Sequence, residues 1–286
     1  MKIYVLYNPN AGNKDNFDAS MSKLRAFIGD KESEFQDITK ITDFNTLFAS
    51  LAPEDELCIC GGDGTLSRFA HSIADIDVKN DIFYYANGTG NDFLRDIGKE
   101  KESEPFRVNE YITNLPIAEI HGKTYRFLNN VGYGIDGYCC EVGDEMRDAG
   151  KTDINYTAIA IKGLLFKFKP ANATVIVDGK EYSYKKVWIA PTMNGRYYGG
   201  GMMPDPDQKR LGEDRTLSLM VWHSSGKLKT LMAFPSLFKG ELVGRTDMIA
   251  LHKGRSITVR FDSPKAVQVD GETVKAVTEY KVTLDN

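Results

Sequence analysis

Three glycines in four positions, Gly61-Gly62-Asp63-Gly64, separate an apolar pentapeptide from an amphipathic stretch. No other feature limits the folds open to this chain so strongly. Ahead of the junction, Glu56-Leu57-Cys58-Ile59-Cys60 has the length and composition of a short buried strand. Behind it, Leu66, Phe69, Ala70 and Ile73 recur at helical spacing over residues 65–76. Glycines where a strand turns into a helix let backbone N–H groups approach an anion without Cβ crowding, and the helix N-terminus adds partial positive charge. Asp63 would repel a phosphate, but it suits a cation that bridges to one. The same four residues also suit a tight turn that binds nothing, because Gly and Asp dominate turns.

The surrounding pattern favours the first alternative. Residues 2–7 read as a strand stopped by Asn8-Pro9-Asn10-Ala11-Gly12, followed by a helix over 17–28 with Phe17, Met21, Leu24 and Ile28 on one face. A second strand is expected over 34–39, then a helix that Thr42-Asp43 caps, running to residue 51 and closed by Pro53. After the glycine turn and its helix, residues 82–85 form another strand. It ends in Asn87-Gly88-Thr89-Gly90-Asn91-Asp92-Phe93 and a short helix to residue 97. Alternating strands and helices imply a parallel, doubly wound sheet whose ligands lie at the C-terminal strand ends. The loops 8–12, 61–65 and 88–91 all follow strands, and three such loops favour a nucleotide site.

From about residue 116 the texture changes. Predicted strands over 117–120 and 125–131 flank His121-Gly122-Lys123, and strands over 173–177 and 181–189 flank Asp178-Gly179-Lys180, an Asp-Gly hairpin turn. Further strands are expected over 216–222, 256–261, 266–269 and 279–284, with helical stretches near 138–167 and 227–241. Hairpins without crossover helices imply an antiparallel sandwich. The expectation is an α/β nucleotide-binding domain over 1–116 and a C-terminal antiparallel β-sandwich domain over 117–286, with a cleft between them.

Several function classes are disfavoured. A net charge of −4 argues against nucleic-acid binding through overall charge. No window reaches the length of a transmembrane segment, and the N-terminal apolar run is too short for a signal peptide. Cys58, Cys60, Cys139 and Cys140 have neither zinc nor disulfide-framework spacing, so a reduced, cytoplasmic protein is expected. The pattern G-x-x-x-x-G-K-[ST] does not occur. Gly132-Tyr133-Gly134-Ile135-Asp136-Gly137 matches G-x-G-x-x-G but lies in the antiparallel half, where it reads as a bend into a helix, with Asp136 a candidate cleft carboxylate.

The glycines of 193–202 suit either a mobile loop or the wall of a cleft, and Asp205, Asp207, Glu213 and Asp214 either a solvated surface or a hard-cation site. Val269-Asp270-Gly271-Glu272 needs no function as a turn, but Glu272 on so rigid an element can serve as a general base. Residues 227–242 carry an apolar helical face with Lys227, Lys229 and Lys239, which suits core packing or an anionic lipid surface.

Together and in this order, Asn8-Pro9-Asn10-Ala11-Gly12, Gly61-Gly62-Asp63-Gly64-Thr65, Gly88-Thr89-Gly90-Asn91-Asp92-Phe93, the loop 194–201 and Val269-Asp270-Gly271-Glu272 resemble one family. It is the diacylglycerol kinase catalytic-domain family, the soluble bacterial lipid kinases related to sphingosine and ceramide kinases. The resemblance spans nearly the whole chain, whereas Gly-Gly-Asp-Gly alone is shared with NAD kinases and phosphofructokinases. It implies ATP in the interdomain cleft, with phosphates met by Asn8, Pro9 and Gly12 and by Gly61, Gly62, Asp63, Gly64, Thr65 and Arg68. Gly88, Thr89 and Asn91 would lie nearby, and Thr39 would contact the nucleotide. Asp63 would organise the catalytic Mg²⁺ with Asp136 close by, and Glu272 would accept the proton of the substrate hydroxyl. A structural Mg²⁺ would be held by the Asp214 side chain and the Leu211 and Thr216 carbonyls.

Three places depart from the family pattern. Ser67-Arg68 stands for Asn-Glu, Ala86-Asn87 for proline and an aliphatic residue, and Arg215 for glycine. The implied activity is an ATP- and Mg²⁺-dependent transfer to a lipid hydroxyl, of diacylglycerol or a sphingoid base, presented at a membrane surface to a cytoplasmic, peripheral protein. The oligomeric state stays open, a homodimer included. The alternatives are a kinase of a soluble alcohol or of NAD, and a nucleotide-binding regulator without turnover, against which the retained Asp63 and Glu272 argue.

Overall fold

The computed structural model describes residues 1–11, 17–88, 90–101, 103–151 and 153–284. The chain forms two compact units, Met1–Leu115 and Pro116–Asn286.

In the first unit, β1 (Lys2–Tyr7), β2 (Glu32–Asp37), β3 (Glu56–Gly61) and β4 (Asp81–Ala86) run parallel, and the short β5 (Phe106–Arg107) closes the edge antiparallel to β4. The order is β2-β1-β3-β4-β5, so the chain leaves β1 toward one side and returns on the other. That reversal opens a crevice at the C-terminal ends of β1 and β3. Alternation explains the apolar runs. Ile3, Val5, Cys58, Cys60 and Tyr85 pack with Leu24 and Ile28 of α1 (Phe17–Ile28). Their strand neighbours Leu6, Leu57, Ile59 and Tyr84 are equally buried on the opposite face.

Local chemistry sets the ends of these elements. Helix α2 (Phe44–Ser50) starts where the Asp43 carboxylate accepts from the N–H groups of Asn45 and Thr46. Strand β2 stops two residues before the expected end, because Asp37 accepts from the N–H and hydroxyl of Thr39 and turns residues Ile38–Lys40 into a 3₁₀ turn. Helix α3 spans Asp63–Ser72 rather than 65–76, because Ile73 leaves helical geometry and its N–H closes onto Phe69 and His71. Helices α4 (Asp92–Asp96) and α5 (Asn109–Ile112) complete the unit.

The second unit is an antiparallel sandwich. Strands β6 (Ile117–Ile120), β7 (Lys123–Arg126), β8 (Asn130–Gly134), β9 (Ala171–Val177), β10 (Lys180–Val187), β11 (Ile189–Met193), β12 (Leu217–Trp222), β13 (Ile249–Gly254), β14 (Ser256–Val269) and β15 (Glu272–Thr283) form it. The sequence patterns 256–261 and 266–269 are one strand, β14. Its register slips between Arg260 and Val267, so that its first half pairs with β9 and its last three residues with β8. A bulged strand shared in this way bends one sheet into two layers.

Strand β12 is buried throughout because both its faces are covered. Leu217, Leu219 and Val221 enter the sandwich core, while Met220 and Trp222 face α6 (Ile135–Asp148), α7 (Tyr156–Lys162) and α8 (Lys227–Leu237). The expected helical stretch 138–167 is thus α6, α7 and a π turn over Gly163–Lys167. The expected strand 125–131 is interrupted at Leu128 and Asn129, whose N–H groups are drawn to a side chain described below. No helix among the described residues is long and apolar enough to cross a membrane.

Candidate active site

In the first unit the three strand-end loops are tied to one another. The Asn8 N–H donates to the Cys60 carbonyl at 2.9 Å, and Asn8 Nδ2 donates to Thr65 Oγ1 at 2.8 Å, so the loop after β1 is fixed to the turn after β3. The Asn8 carboxamide oxygen also accepts from the Asn10 N–H at 2.9 Å, shaping its own loop. The Gly61 carbonyl accepts from the Asn87 N–H at 2.8 Å and from the Tyr84 hydroxyl at 3.1 Å, which brings in the loop after β4. Gly62 and Gly88 meet backbone to backbone. A Cβ on Gly62 would stand 3.1 Å from the Gly88 Cα, and one on Gly88 would overlap the Gly62 Cα. Gly88 therefore has room for no side chain, and Gly62 for one only if its neighbour shifts.

Half-buried Asp63 opens α3, and its Oδ2 accepts from the Phe93 N–H of α4 at 3.1 Å. Asn91 stands before α4, and its buried Oδ1 has no hydrogen-bond partner among the described residues. Gly64 has open space around the position of an added Cβ. The unit therefore gathers Asn8, Gly61, Gly62, Asp63, Gly64, Thr65, Gly88 and Asn91 at the crevice end of its sheet. Pro9 is exposed in the same loop, and exposed Thr39 lies just past the end of β2, which pairs with β1. Arg68 points out from α3. Gly12 and Thr89 lie outside the described residues.

In the second unit the carboxylates Asp136 and Glu272 are brought to one region. Strand β8 runs directly into α6, and Asp136 in the first turn is buried. The α6 backbone crosses close over β14, so that a Cβ on Gly137 would overlap the Ala266 carbonyl. Asp136 Oδ2 lies against Gly132, as does Gln268 Nε2. The Tyr198 hydroxyl donates to Asp136 Oδ2 at 2.9 Å, yet burial outweighs that bond and raises the Asp136 carboxyl to about 8. Burial therefore favours its protonated form.

Glu272 is exposed at the start of β15, after a turn in which Asp270 and Gly271 both have positive φ. The turn is held from both sides. The Asp270 carboxylate accepts from the N–H groups of Leu128, Asn129 and Asn130, and Gln268 Oε1 accepts from the Gly271 N–H at 2.7 Å. Both Asp136 and Glu272 act on the Cys140 thiol, raised to about 12 mainly by its own burial. Composition marked neither Tyr198 nor Asp270 as a site residue. Their signals were the glycine-rich loop 194–201 and the Asp-Gly pair.

Two cation sites need testing against these groups. Asp63 offers a hard carboxylate at the glycine turn and bonds the Phe93 N–H, two residues beyond Asn91, whose buried oxygen has no partner among the described residues; hard oxygen donors of this kind fit Mg²⁺. The loop with Leu211, Asp214 and Thr216 fits poorly. Asp214 is exposed, Gln208 Nε2 already donates to the Thr216 carbonyl at 2.7 Å, and Arg215 lies between the two. Among the described residues no three His, Cys, Asp or Glu side chains cluster as a metal site.

Comparison with known proteins agrees with this architecture. The diacylglycerol kinase catalytic domain matches residues 2–115, and the YegS C-terminal NAD kinase beta sandwich-like domain matches residues 129–283. A protein named diacylglycerol kinase from Mycobacterium tuberculosis (strain ATCC 25618 / H37Rv) is 25% identical over 286 residues, covering 95% of this chain and 88% of its own. One of the same name from Bacillus subtilis (strain 168) is 23% identical over 230 residues, covering 78% and 73%. A crystal structure of a diacylglycerol kinase from Bacillus anthracis str. Sterne shares the fold at a TM-score of 0.64 and 21% identity, over 99% of this chain and 94% of that one.

Proposed function

The chain belongs to the diacylglycerol kinase family, and from that premise we propose that it transfers the γ-phosphoryl group of ATP, with Mg²⁺, to a hydroxyl of a diacylglycerol-type or sphingoid-type lipid. The observation that carries the nucleotide half of this proposal is the Gly62–Gly88 backbone contact, with the loops after β1, β3 and β4 bonded around it. Close-packed glycine loops present N–H groups to phosphates, and phosphoryl transfer is mostly positioning and charge neutralisation. Mg²⁺, when bound, neutralises charge on the phosphates, and Asp63 is the residue that would hold it.

Asn8, Thr65, Gly88 and Asn91 position the phosphates, with Pro9, Gly12, Thr39, Arg68 and Thr89 as further nucleotide contacts. Glu272 accepts the proton of the attacking hydroxyl, and the Asp270 anchor fixes where its turn lies. Asp136, which accepts from the Tyr198 hydroxyl and whose carboxyl burial raises to about 8, lies in the same region. Contact with a lipid surface is supported by Leu228 and Met232, which α8 leaves outside with Lys227 and Lys229 on the same helix.

The test is transfer of labelled phosphate from ATP, with Mg²⁺, to a total lipid extract in mixed micelles. A chloroform-extractable labelled product is expected. It should be lost in Asp63→Asn and in Glu272→Ala, with ATP binding retained in the latter. Label confined to water-soluble products would replace the lipid acceptor by a soluble one. Full activity in Glu272→Ala would remove the base assignment.

A further inference from the structure

The poor fit of the 205–216 loop to a divalent cation has a positive counterpart. We propose that in this chain the guanidinium of Arg215 replaces the structural Mg²⁺ of the family, so that the C-terminal unit is stapled by its own cations and needs no metal there.

Several side chains tie this loop to the rest of the C-terminal unit. Arg215 is half-buried, and its Nη2 donates to Asn194 Oδ1 at 3.0 Å, tying the loop to the end of β11. Arg255 Nη1 reaches the Arg215 carbonyl at 3.4 Å. Buried Arg210 donates to the Leu128 carbonyl and, at 2.9 Å, to Asn129 Oδ1, the same segment that Asp270 anchors. At the start of the loop, buried Asp205 is paired with Lys253 at 2.9 Å. Gln208 Nε2 spans the Asn194 carbonyl at 3.2 Å and the Thr216 carbonyl at 2.7 Å.

Charge points the same way. Burial, and after it the charges of Arg210 and Arg255, lower the Arg215 guanidinium from its ordinary range, and a divalent cation placed beside these groups would meet the same arginine charges. The exposed Asp214 is the one carboxylate among the three expected ligands, the others being backbone carbonyls. The Arg215 guanidinium holds the loop through the Asn194 amide oxygen, while Gln208 takes the Thr216 carbonyl that a metal ion would use. The inference concerns the C-terminal unit's stability and stands apart from the acceptor assignment.

Both tryptophans of the chain, Trp188 and Trp222, are buried in the C-terminal unit, so tryptophan fluorescence reports its unfolding. Thermal melts of the full chain without nucleotide should give the same Tm, within about 1 °C, in excess EDTA and in millimolar Mg²⁺, and Asp214→Asn should match it. Arg215→Met should lower that Tm by about 3–6 °C in both conditions. A wild-type Tm that falls in EDTA, returns with Mg²⁺ and loses this response in Asp214→Asn would overturn the proposal. So would an Arg215→Met variant as stable as wild type. Should Arg215→Met fail to fold, the wild-type and Asp214→Asn comparison decides.

Discussion

Replacing Asp136 by asparagine should make the C-terminal unit more stable, by an amount that depends on pH in a defined way. The carboxyl is buried and titrates near 8 instead of the ordinary 3.8, with desolvation the dominant cause. Between those two values the native state holds a proton that the unfolded chain has released. Stability therefore falls as pH rises, by about 1.4 kcal/mol per unit, and levels off above the folded-state value. At pH 7 the accumulated loss is about 4 kcal/mol, and at pH 5 it is about 1.5 kcal/mol. The substituted asparagine is neutral and nearly isosteric, and its amide oxygen could still accept from the Tyr198 hydroxyl, whose bond to Asp136 is 2.9 Å long.

The assay is urea unfolding followed by fluorescence of Trp188 and Trp222, both in the C-terminal unit, at pH 5, 6, 7 and 8. The Asp136→Asn advantage should grow steadily from pH 5 to pH 8. An advantage that does not change with pH, or a variant less stable at pH 7, would show that burial does not hold the proton on Asp136.

Other perturbations follow from the same contacts. Gly88→Ala places a methyl group on the Gly62 backbone and should cost about 1–3 kcal/mol or more of N-terminal stability, along with nucleotide affinity; isothermal titration with ATP and circular dichroism melts would measure both. Asp270→Ala strips three backbone N–H groups of their carboxylate acceptor. It should destabilise the C-terminal unit by about 2–4 kcal/mol, whereas Glu272→Ala on the same turn should leave its urea midpoint nearly unchanged. All four cysteines are free; the sulfur contact with Cys60, and then burial, raise the Cys58 thiol, and burial raises those of Cys139 and Cys140. A thiol-reactive dye at pH 7.5 should therefore react slowly with the native chain and quickly with four groups once urea is added.

Periodicity and glycine placement sufficed for β1–β4 and the helices α1–α4 of the first unit, because those elements are specified locally, but not for the short β5 and α5. Strands β1, β3 and β4 are largely apolar runs, Asp43 announces α2, and the glycine turns announce the loops. The hairpin texture likewise sufficed for an antiparallel second unit. Boundaries were less legible wherever a side chain far away in sequence competes for the backbone. Strand 125–131 breaks because Asp270, more than 140 positions away, collects the Leu128 and Asn129 N–H groups, and nothing in the local residues announces that.

The candidate residues divide in the same way. Asn8, Asp63, Gly88 and Glu272 stand out in the sequence because unusual turn chemistry surrounds them. Tyr198 on Asp136, and Asn8 on Thr65, are long-range pairs set only by packing. By itself the sequence determined which loops carry glycine and carboxylate, since backbone conformation and charge are properties of single residues. Tertiary structure decided that Gly62 and Gly88 touch, that burial raises the Asp136 carboxyl, and that Arg215 lies among two other arginines. Close approach, desolvation and the field of neighbouring charges exist only once distant segments are packed together.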